Sequence, residues 1–385
     1  MNRVSVFQTT PRIVMGPGSA DSVAAEVKRL GANKIIIITD PGLVKTGIVD
    51  RFEGLLNKAG FSLGRFDAVE PDPRYEVASQ AAEFAKSSGA DLILGIGGGS
   101  SLDIAKVAAI LVTNAQPIGS LFGIDLVEAP GLPLILVPTT AGTGSEVTPI
   151  AILSDHQEKL KKGIVSPHLF PASAILDPEL TLGLPPSVTA STGMDALIHA
   201  VEAYTSKNAT PLTDLLAVQA MKLLFENIRT AYANGSDLQA RSNMLEGSML
   251  AGMAFANAGV TAVHAFAYPI GAEFHIPHGV ANSIMLAAVM EFNMLGNLRK
   301  FAQMAELFGE DTIGLSERKS AQLAVDALRT LAADLRVPSH LSEFGVKEED
   351  IPSLAEGVMK VTRLLANNPR ELGHQDAVDI YRSVL

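Results

Sequence analysis

The chain has 385 residues, of which 47% are hydrophobic and 18% charged, so it can fill a large core and is not a disordered protein. Its formal net charge of −11 argues against nucleic acids and anionic membrane surfaces as partners. The absence of cysteine excludes disulfides, thiolate catalysis, iron–sulfur clusters and cysteine-based zinc sites, so any metal must be held by His, Asp, Glu or carbonyl oxygen.

The N-terminal half predicts strands alternating with helices, after ten polar and mixed residues that contain no apolar leader. Predicted buried strands, each a short apolar or β-branched run, span 34–39, 91–96 and 134–138. Predicted helices span 49–59, 78–88 and 102–112. The alternation predicts an α/β layer around a parallel sheet, and the lack of a leader predicts a cytoplasmic protein.

From residue 187 onward, helical periods replace the β-branched runs, and clusters of Gly, Pro or Asn end each helix. Predicted helices span 187–204, 211–232, 240–256, 297–307, 316–335, 351–365 and 375–384. We place the domain boundary in the segment Leu182–Pro186. This gives an α/β domain of residues 1–182 and an all-helical domain of residues 183–385.

One stretch of the helical half, from Gly247 to Ala272, carries no charged residue and is long enough to span a bilayer. It also contains Asn257 and His264, whose polar groups a spanning helix would have to bury. We therefore expect a buried helix pair around a polar site and no membrane partner.

A run of glycines, Gly97-Gly98-Gly99, followed by Ser100, lies between a predicted strand and a predicted helix. Consecutive glycines let backbone N–H groups approach a phosphate, and the N-terminus of the following helix favours its negative charge. A tight strand–helix turn explains one glycine but rarely three, so the run favours phosphate binding. It is not the standard dinucleotide fingerprint, because Ser100 replaces the third glycine and the acidic Asp40 precedes the glycines instead of following them.

The loop Thr139–Glu146 follows the third predicted strand and contains four hydroxyl side chains and two glycines. Its composition suits hydrogen bonding to a ribose or a phosphate. It is equally typical of an ordinary polar loop, and the residues alone leave both interpretations open.

Asp195 and His199 lie four residues apart in an otherwise apolar helical segment, which places both on one buried helix face. Taken alone, this pair favours a salt-bridged core contact. Three histidines, His264, His275 and His278, then fall within 15 residues of a strongly apolar stretch. Together with the aspartate they favour a divalent ion such as Fe²⁺ or Zn²⁺, which imidazole and carboxylate ligands suit.

In order and spacing, four motifs of this sequence resemble the iron-containing (group III) alcohol dehydrogenases. They are Gly-Gly-Gly-Ser-x-x-Asp-x-x-Lys at 97–106, the loop Thr139–Glu146, Gly193-Met194-Asp195-Ala196-x-x-His199, and the block from His264 to Gly279. The tail with Asn368-Pro369-Arg370 and Ile380-Tyr381 also looks like the C-terminus of this family. The resemblance covers essentially the whole chain.

The resemblance implies a fold of the dehydroquinate synthase-like architecture. Its N-terminal doubly wound parallel-sheet domain would bind the nucleotide, its C-terminal helical domain would bind the metal, and both ligands would lie in the cleft between them. The implied metal ligands are Asp195, His199, His264 and His278, holding Fe²⁺, with Zn²⁺ or another divalent ion accepted by the same set. Homodimers are common in the family, and we expect one here.

The implied cofactor is NAD, with Asp40 on the adenosine ribose, where its charge would repel the 2′-phosphate of NADP. The other residues that the resemblance places along the cofactor are Gly97, Gly98, Gly99, Ser100, Asp103, Thr139, Thr140, Thr143, Lys161 and Leu180. The implied reaction is hydride transfer between NAD(H) and a primary alcohol or its aldehyde, with the metal acting as a Lewis acid. By family position the substrate pocket is lined by Ile150, Phe255 and Leu364. These are all apolar, so we expect short aliphatic substrates.

Two departures from the family pattern concern the site. Tyr268 stands four residues after His264, where relatives usually have a histidine, and its ordinary pKa near 10 makes it a poor general base. We expect Tyr268 to pack or orient, with His275 or water carrying the proton. The turn Pro71-Asp72-Pro73 carries a carboxylate where an Asn or Gly is usual, which predicts an extra negative charge near the cofactor.

Three other functions stay open at this point. A hydroxyacid–oxoacid transhydrogenase of the same superfamily also resembles the sequence in having tyrosine at the Tyr268 position. A lyase of the dehydroquinate-synthase type would need several basic residues, whereas the histidine block here is flanked by apolar ones. A non-catalytic metal-binding protein would leave the glycine and threonine loops unexplained.

Overall fold

The computed structural model describes residues 4–155 and 160–385, which form two compact units. The first unit is Gln8–Gly183, and it is built around β-sheets. The second contains Leu184–Leu385 together with residues 4–7, and its regular elements are helices. An α/β unit followed by a helical unit confirms the predicted fold class.

A six-stranded parallel sheet forms the centre of the first unit. In the described part of this unit the strands are β1 (Ile13–Met15), β2 (Lys34–Ile38), β3 (Ser62–Phe66), β4 (Leu92–Gly97), β5 (Gly123–Ile124), β6 (Leu134–Pro138), β7 (Ile150–Asp155), β8 (Leu160–Val165) and β9 (Ser173–Leu176). Its helices are α1 (Val23–Arg29), α2 (Pro41–Val44), α3 (Ile48–Lys58), α4 (Tyr75–Ser87) and α5 (Gly99–Thr113). The large sheet has the order β1-β9-β6-β4-β2-β3, with every neighbouring pair parallel.

The isoleucine run of β2 shows why this sheet is buried on both faces. Ile35 and Ile37 pack with side chains of α1 and α3. Ile36 and Ile38 pack with side chains of α4 and α5. Because successive residues of a strand point to opposite faces, a strand covered on both sides needs an apolar side chain at every position. Helices on both faces of a parallel sheet confirm the doubly wound arrangement.

A smaller sheet of the order β5-β8-β7 completes the first unit. Strands β7 and β8 pair antiparallel, and β5 pairs parallel with β8. Ala151 and Leu153 of β7 join the core that also contains α4 and α5. The sequence did not predict this sheet, because its strands mix apolar, glycine and charged residues.

The second unit contains ten α-helices in the residues described. They are α6 (Pro186–Thr205), α7 (Pro211–Ala233), α8 (Leu238–Ala258), α9 (Ala262–Phe274), α10 (His278–Asn293), α11 (Leu298–Leu307), α12 (Glu317–Asp334), α13 (Ile351–Lys360), α14 (Thr362–Leu365) and α15 (His374–Ser383). The helix predicted at 351–365 is two helices, because Val361 leaves the helical region with φ −83 and ψ 51 and separates α13 from α14.

The uncharged stretch 247–272 forms the end of α8 and most of α9, which meet at a bend of 101°. Gly259 makes this bend with φ +77, and a Cβ there would lie 2.4 Å from the Asn367 side chain.

The last part of the chain holds α9. Asn368 Oδ1 accepts a hydrogen bond from Ala262 N at 3.3 Å, and Tyr381 donates its hydroxyl to Phe266 O at 2.8 Å.

One helix of the described residues, spanning His278–Gly296 with its final turn, is long and apolar enough to cross a membrane by length and composition. An 18-residue window of this helix has a mean hydropathy of 1.2, and 56% of that window is buried inside the protein. The core helix of a water-soluble protein passes the same test.

Candidate functional site

One face of α6 carries three buried side chains with acidic or imidazole groups. Asp195, His199 and Glu202 follow each other at positions i, i+4 and i+7, a spacing that aligns them along the helix. They are 3%, 6% and 0% exposed. Apolar neighbours on the same helix keep this face inside the helical unit, as the sequence predicted for Asp195 and His199.

Helices α9 and α10 bring two more histidines to this face. His264 Nε2 lies 3.1 Å from His199 Nε2 and 3.7 Å from Asp195 Oδ1. His278 Nε2, on the first residue of α10, lies 3.8 Å from Asp195 Oδ1. One ligand atom from each of Asp195, His199 and His264 can be chosen so that all three lie within 4.8 Å of one another. Residues up to 83 positions apart in sequence thus converge on one point.

Neighbouring side chains hold these groups in place. The ring of Phe255 stacks on the ring of His199 at 4.3 Å between centroids. Asn282 donates from Nδ2 to Asp195 Oδ1 at 2.7 Å, and the same nitrogen lies 3.2 Å from Nε2 of both His264 and His278. Asn282 Oδ1 is a buried polar atom without a hydrogen-bond partner within the described residues.

The electrostatics of this cluster follow from burial and charge. Burial alone would raise the pKa of Asp195, but the three histidines and the hydrogen bond from Asn282 outweigh it and hold that pKa below its usual value. Burial would lower the pKa of His264, but the carboxylates of Glu202 and Asp195 outweigh it and raise that pKa. Two carboxylates therefore lie buried together with neutral or positive imidazoles around them.

The arrangement fits a divalent cation. Asp195 and Glu202 are both buried, and no lysine or arginine forms an ion pair with either one in the part of the chain that the structure describes. A buried negative charge needs a compensating partner. Imidazole nitrogens and a carboxylate oxygen are donors that Fe²⁺, Zn²⁺ and similar ions accept, and the unpartnered Asn282 Oδ1 leaves a further oxygen beside them.

The second group of candidate residues lies at the carboxyl ends of β2 and β4 in the α/β unit. These strands are neighbours in the sheet. From β2 the chain continues to β3 on one side of the pair, and from β4 it continues to β6 on the other side. This reversal of strand order defines a switch point, where such folds bind ligands. Asp40 follows β2 and accepts from Leu43 N at 2.9 Å, which begins α2. Its Oδ2 lies 3.4 Å from Ser101 Oγ and 3.4 Å from where a Cβ on Gly97 would be.

The glycine turn packs against the threonine loop. A Cβ on Gly99 would lie 2.6 Å from Thr143 Cγ2, and one on Gly98 would lie 3.6 Å from Thr140. Thr139 N donates to Gly97 O at 2.9 Å. Because α5 begins at Gly99, the free N–H groups of its first turn lie at this turn. The structure thus brings the glycines and the three predicted threonines together.

Ser100, Asp72 and Lys161 form a third contact near this turn. Ser100 Oγ accepts from the backbone N of Asp72 at 3.3 Å. The Asp72 carboxylate lies 2.6 Å from the ammonium of Lys161, whose side chain is only 7% exposed. The extra carboxylate predicted from Pro71-Asp72-Pro73 therefore forms an ion pair with a residue that was itself predicted at the cofactor.

Asp103 has a supporting position inside the unit. Its carboxylate accepts from Ser145 Oγ at 2.5 Å and from Ile152 N at 2.9 Å, and burial raises its pKa.

Nearby Lys106 is fully buried and donates to the carbonyl oxygens of Thr148 and Ile150, each at 2.9 Å. Burial lowers the pKa of Lys106 to about 8 and raises the pKa of Glu146 to about 7.

The remaining predicted residues occupy varied surroundings. The ring of Tyr268 lies 6.2 Å from that of His278. His275 is exposed and ends α9 with φ 54, in the left-handed region. Leu364 is fully buried in α14, and Leu180 is buried in the core beside α1 and α3.

The sequence of each unit matches a known family. Residues 10–178 match the family described as iron-containing alcohol dehydrogenase, and residues 189–385 match the C-terminal part of the Fe-containing alcohol dehydrogenase family. The chain belongs to the iron-containing alcohol dehydrogenase family. This confirms the resemblance drawn from the motifs and makes the protein an oxidoreductase of the alcohol dehydrogenase class.

Members of this family match over nearly the whole length. Long-chain-alcohol dehydrogenase 1 of Geobacillus thermodenitrificans (strain NG80-2) is 44% identical over 372 residues, which cover 96% of this chain and 94% of that protein. Sulfoacetaldehyde reductase of Bilophila wadsworthia (strain 3_1_6) is 44% identical over 367 residues, covering 95% of each. A crystal structure of 1,3-propanediol oxidoreductase aligns with a TM-score of 0.97 at 40% identity and covers 100% of both chains.

Two residues of the buried cluster were missed by the sequence reasoning. Glu202 lies three positions after His199, and Asn282 lies four positions after His278, so both share a helix face with a predicted ligand. That spacing was the available signal. A glutamate on a helix is usually solvated, however, and the neighbouring residues in the sequence do not indicate that Glu202 is buried.

Proposed function

We propose that the protein is an NAD(H)-dependent, metal-dependent alcohol dehydrogenase that interconverts a primary alcohol and its aldehyde. The observation that carries this proposal is the convergence of the buried Asp195, His199 and His264 with the partly buried His278. A glycine turn beside an acidic strand end, in the other unit of the same chain, supports the nucleotide cofactor. The residues of the α/β unit would bind the dinucleotide and those of the helical unit the metal.

Four side chains would hold the ion: Asp195, His199, His264 and His278. When bound there, a divalent ion such as Fe²⁺ supplies Lewis-acid polarisation of the alcohol or aldehyde oxygen. The chain contributes the buried setting, in which Phe255 covers one face of His199 and limits the access of water. Asn282 orients Asp195 through its hydrogen bond.

The nucleotide would lie along the switch point of the parallel sheet. Asp40 offers a carboxylate to the adenosine ribose hydroxyls, and the first turn of α5 offers backbone N–H groups to the pyrophosphate. Thr139, Thr140 and Thr143 add hydroxyls next to the glycines. The charge of Asp40 disfavours the 2′-phosphate of NADP, so we propose NAD(H) as the cofactor.

The reaction balances with the nicotinamide as the only electron acceptor. NAD⁺ held at the glycine turn would supply the acceptor for the hydride of the carbinol carbon, and the hydroxyl proton would pass to water. We propose that Tyr268 orients groups beside His278 and does not relay this proton, for which water or the exposed His275 is available. The reverse reaction reduces the aldehyde.

The proposed substrates are short aliphatic primary alcohols and aldehydes. Ile150, Phe255 and Leu364, which would line the pocket, are apolar, and no motif places a basic residue to hold an acidic substrate. Relatives with equal identity are named for a long-chain alcohol and for sulfoacetaldehyde, so the substrate panel must include both kinds. We further propose that the protein is cytoplasmic and forms a homodimer. Light scattering on the purified protein tests the homodimer.

A spectrophotometric assay of NADH tests the proposal directly. We expect turnover of neutral short-chain alcohols and aldehydes with NAD(H), dependent on a divalent ion that elemental analysis finds at about one per chain. Asp40→Ser keeps a residue that can cap α2 and should relax the preference for NAD(H) over NADP(H). Equal kcat/KM with both cofactors in the unmodified protein would contradict the role of Asp40.

One observation keeps a second function in view: Tyr268 stands where relatives usually have histidine. A hydroxyacid–oxoacid transhydrogenase would retain its nicotinamide through purification and turn over without added NAD. Co-purified cofactor together with such turnover would replace the alcohol dehydrogenase proposal.

A further inference from the structure

Glu202 is a fully buried carboxylate with three hydrogen-bond donors, and neither the predicted metal ligands nor the cofactor site includes it. Its Oε1 accepts from Thr261 Oγ1 at 2.6 Å and from Val263 N at 2.7 Å. Its Oε2 lies 2.5 Å from Nδ1 of His264. The side chain therefore connects α6, which carries Asp195 and His199, with the first turn of α9, which carries His264.

The contact with His264 has a chemical consequence, because a carboxylate only accepts hydrogen bonds. Nδ1 of His264 must then carry the hydrogen. In a neutral imidazole this leaves Nε2 as the nitrogen with a free lone pair. Nε2 is the atom that lies 3.1 Å from His199 Nε2 and 3.7 Å from Asp195 Oδ1. The carboxylate thus selects the tautomer that presents a donor atom to the buried cluster.

We propose that Glu202 is the positioning residue of the metal centre: it fixes the tautomer and ring orientation of His264 and anchors the start of α9 to α6. This inference rests on the proposed metal centre. Carboxylates that accept from the distal nitrogen of a ligand histidine have this effect in metal sites generally, and losing one typically weakens metal binding by about 10–100-fold.

Glu202→Gln is the informative variant, because it alters only one of the three contacts. Its carbonyl oxygen still accepts from Thr261 and Val263. Its NH₂ group then faces Nδ1 of His264 and donates, so Nδ1 becomes the acceptor and the hydrogen moves to Nε2. Thr261→Val is the matched control, since it removes a hydrogen bond to Glu202 but leaves the contact with His264 intact.

The first measurement is a Co²⁺ titration of metal-free protein, followed by the visible absorption of the bound ion. We expect Thr261→Val to bind within about threefold of the unmodified protein and Glu202→Gln to bind about 10–100-fold more weakly. Circular dichroism checks that both variants are folded. Equal weakening in the two variants would indicate a role in packing alone, and unchanged affinity in Glu202→Gln would also overturn the inference.

The second measurement reads the tautomer itself by nitrogen-15 NMR of labelled histidine, in metal-free protein. The pH is raised until the nitrogen shifts of His264 stop changing, because the neighbouring carboxylates raise its pKa above the ordinary histidine value. We expect the hydrogen of His264 on Nδ1 in the unmodified protein and on Nε2 in Glu202→Gln. A hydrogen on Nε2 in the unmodified protein overturns the inference, whether or not the variant folds. If the unmodified protein binds no Co²⁺, the proposed metal centre itself is wrong.

Discussion

The two candidate sites of this protein are built from different parts of the polypeptide. In Gln8–Gly183 the candidate groups follow the ends of two neighbouring strands, and much of what they offer a ligand is backbone N–H at a glycine turn. In Leu184–Leu385 the candidate groups are side chains from α6, α9 and α10, gathered from positions 195 to 282.

This difference determines how each site responds to change. A site of backbone groups is insensitive to most neighbouring side chains but intolerant of any Cβ that enters its turn. A site of buried side chains depends on each donor and on the charge balance among them, because an unpaired buried group costs several kcal/mol.

The largest expected effect removes one donor from the helical site. His264→Ala should lower metal affinity by more than the ~10–100-fold that loss of a supporting residue typically costs, and activity should fall with the metal. Much of the fold should remain, since the α/β unit does not include this residue. Elemental analysis and circular dichroism check the two statements. Full metal occupancy in the variant would refute the assignment of ligands.

A buried acid in the α/β unit provides the contrasting case. Glu146 has a pKa raised to about 7, so the folded protein keeps a proton that the unfolded chain releases above its ordinary pKa of about 4.5. This contribution to stability is full below about pH 4.5 and is lost as the pH rises to about 7. At 1.36 kcal/mol per pKa unit the loss is on the order of 3 kcal/mol.

Glu146→Gln should therefore flatten the pH dependence of the free energy of unfolding over that interval. Urea denaturation of both proteins between about pH 5 and pH 7.5 measures this, below the pKa of about 8 of the neighbouring Lys106. The difference between the two profiles separates this group from the histidines of the helical unit. Parallel profiles would show that Glu146 is ionised in the folded protein.

The glycine turn is expected to be sensitive to added atoms. Gly99→Ala would place a Cβ 2.6 Å from the stiff side chain of Thr143, so we expect a destabilisation of about 1–3 kcal/mol in thermal unfolding. Gly54→Ala is the control, because its Cβ meets nothing within 4 Å and Ala is the better helix former. Equal effects of the two substitutions would mean that the turn tolerates side chains.

The smallest expected effect concerns Tyr268. If this residue packs or orients, Tyr268→Phe keeps activity within roughly tenfold, a change in barrier of about 1.4 kcal/mol. Loss of a proton relay would instead approach the ~10²–10⁴-fold typical of general acid–base catalysis. Steady-state kinetics with metal content measured in parallel decides between the two, and a loss beyond a hundredfold would contradict our expectation.

The elements that the sequence predicts well are those with a strong local pattern. The strand of four isoleucines in β2, the apolar strand β6 and the long amphipathic helices appear within a few residues of their predicted bounds. Edge strands such as β3, with its Ser, Gly and Arg, lack that pattern and were missed. The sequence does not predict the bounds of α9 and α10, because Pro269 and several glycines resemble helix stop signals. In the structure, packing overrides these signals, and α9 continues through Pro269.

The candidate site shows the same limit. Asp195 and His199 can be paired from sequence because one helix turn separates them. That they face His264 depends on the bend at Gly259, which a sequence of two helical patterns does not specify. In the sequence, Glu202 resembles an exposed glutamate, because its burial depends on the packing of α9. The ion pair between Asp72 and Lys161 joins residues 89 positions apart, a separation that no local pattern reveals.

The anchoring of α9 by the C-terminal segment bears on the order of events during synthesis. The backbone oxygen of Phe266 accepts a hydrogen bond from Tyr381, which is synthesised 115 residues later. Ribosomes add about 5–20 residues per second. For roughly 6–23 s the histidine of α9 has therefore been made while the hydroxyl that secures its helix has not. This contact of α9 therefore forms late, and we expect the helix that carries His264 to be fully held only after Tyr381 has been made and can reach Phe266.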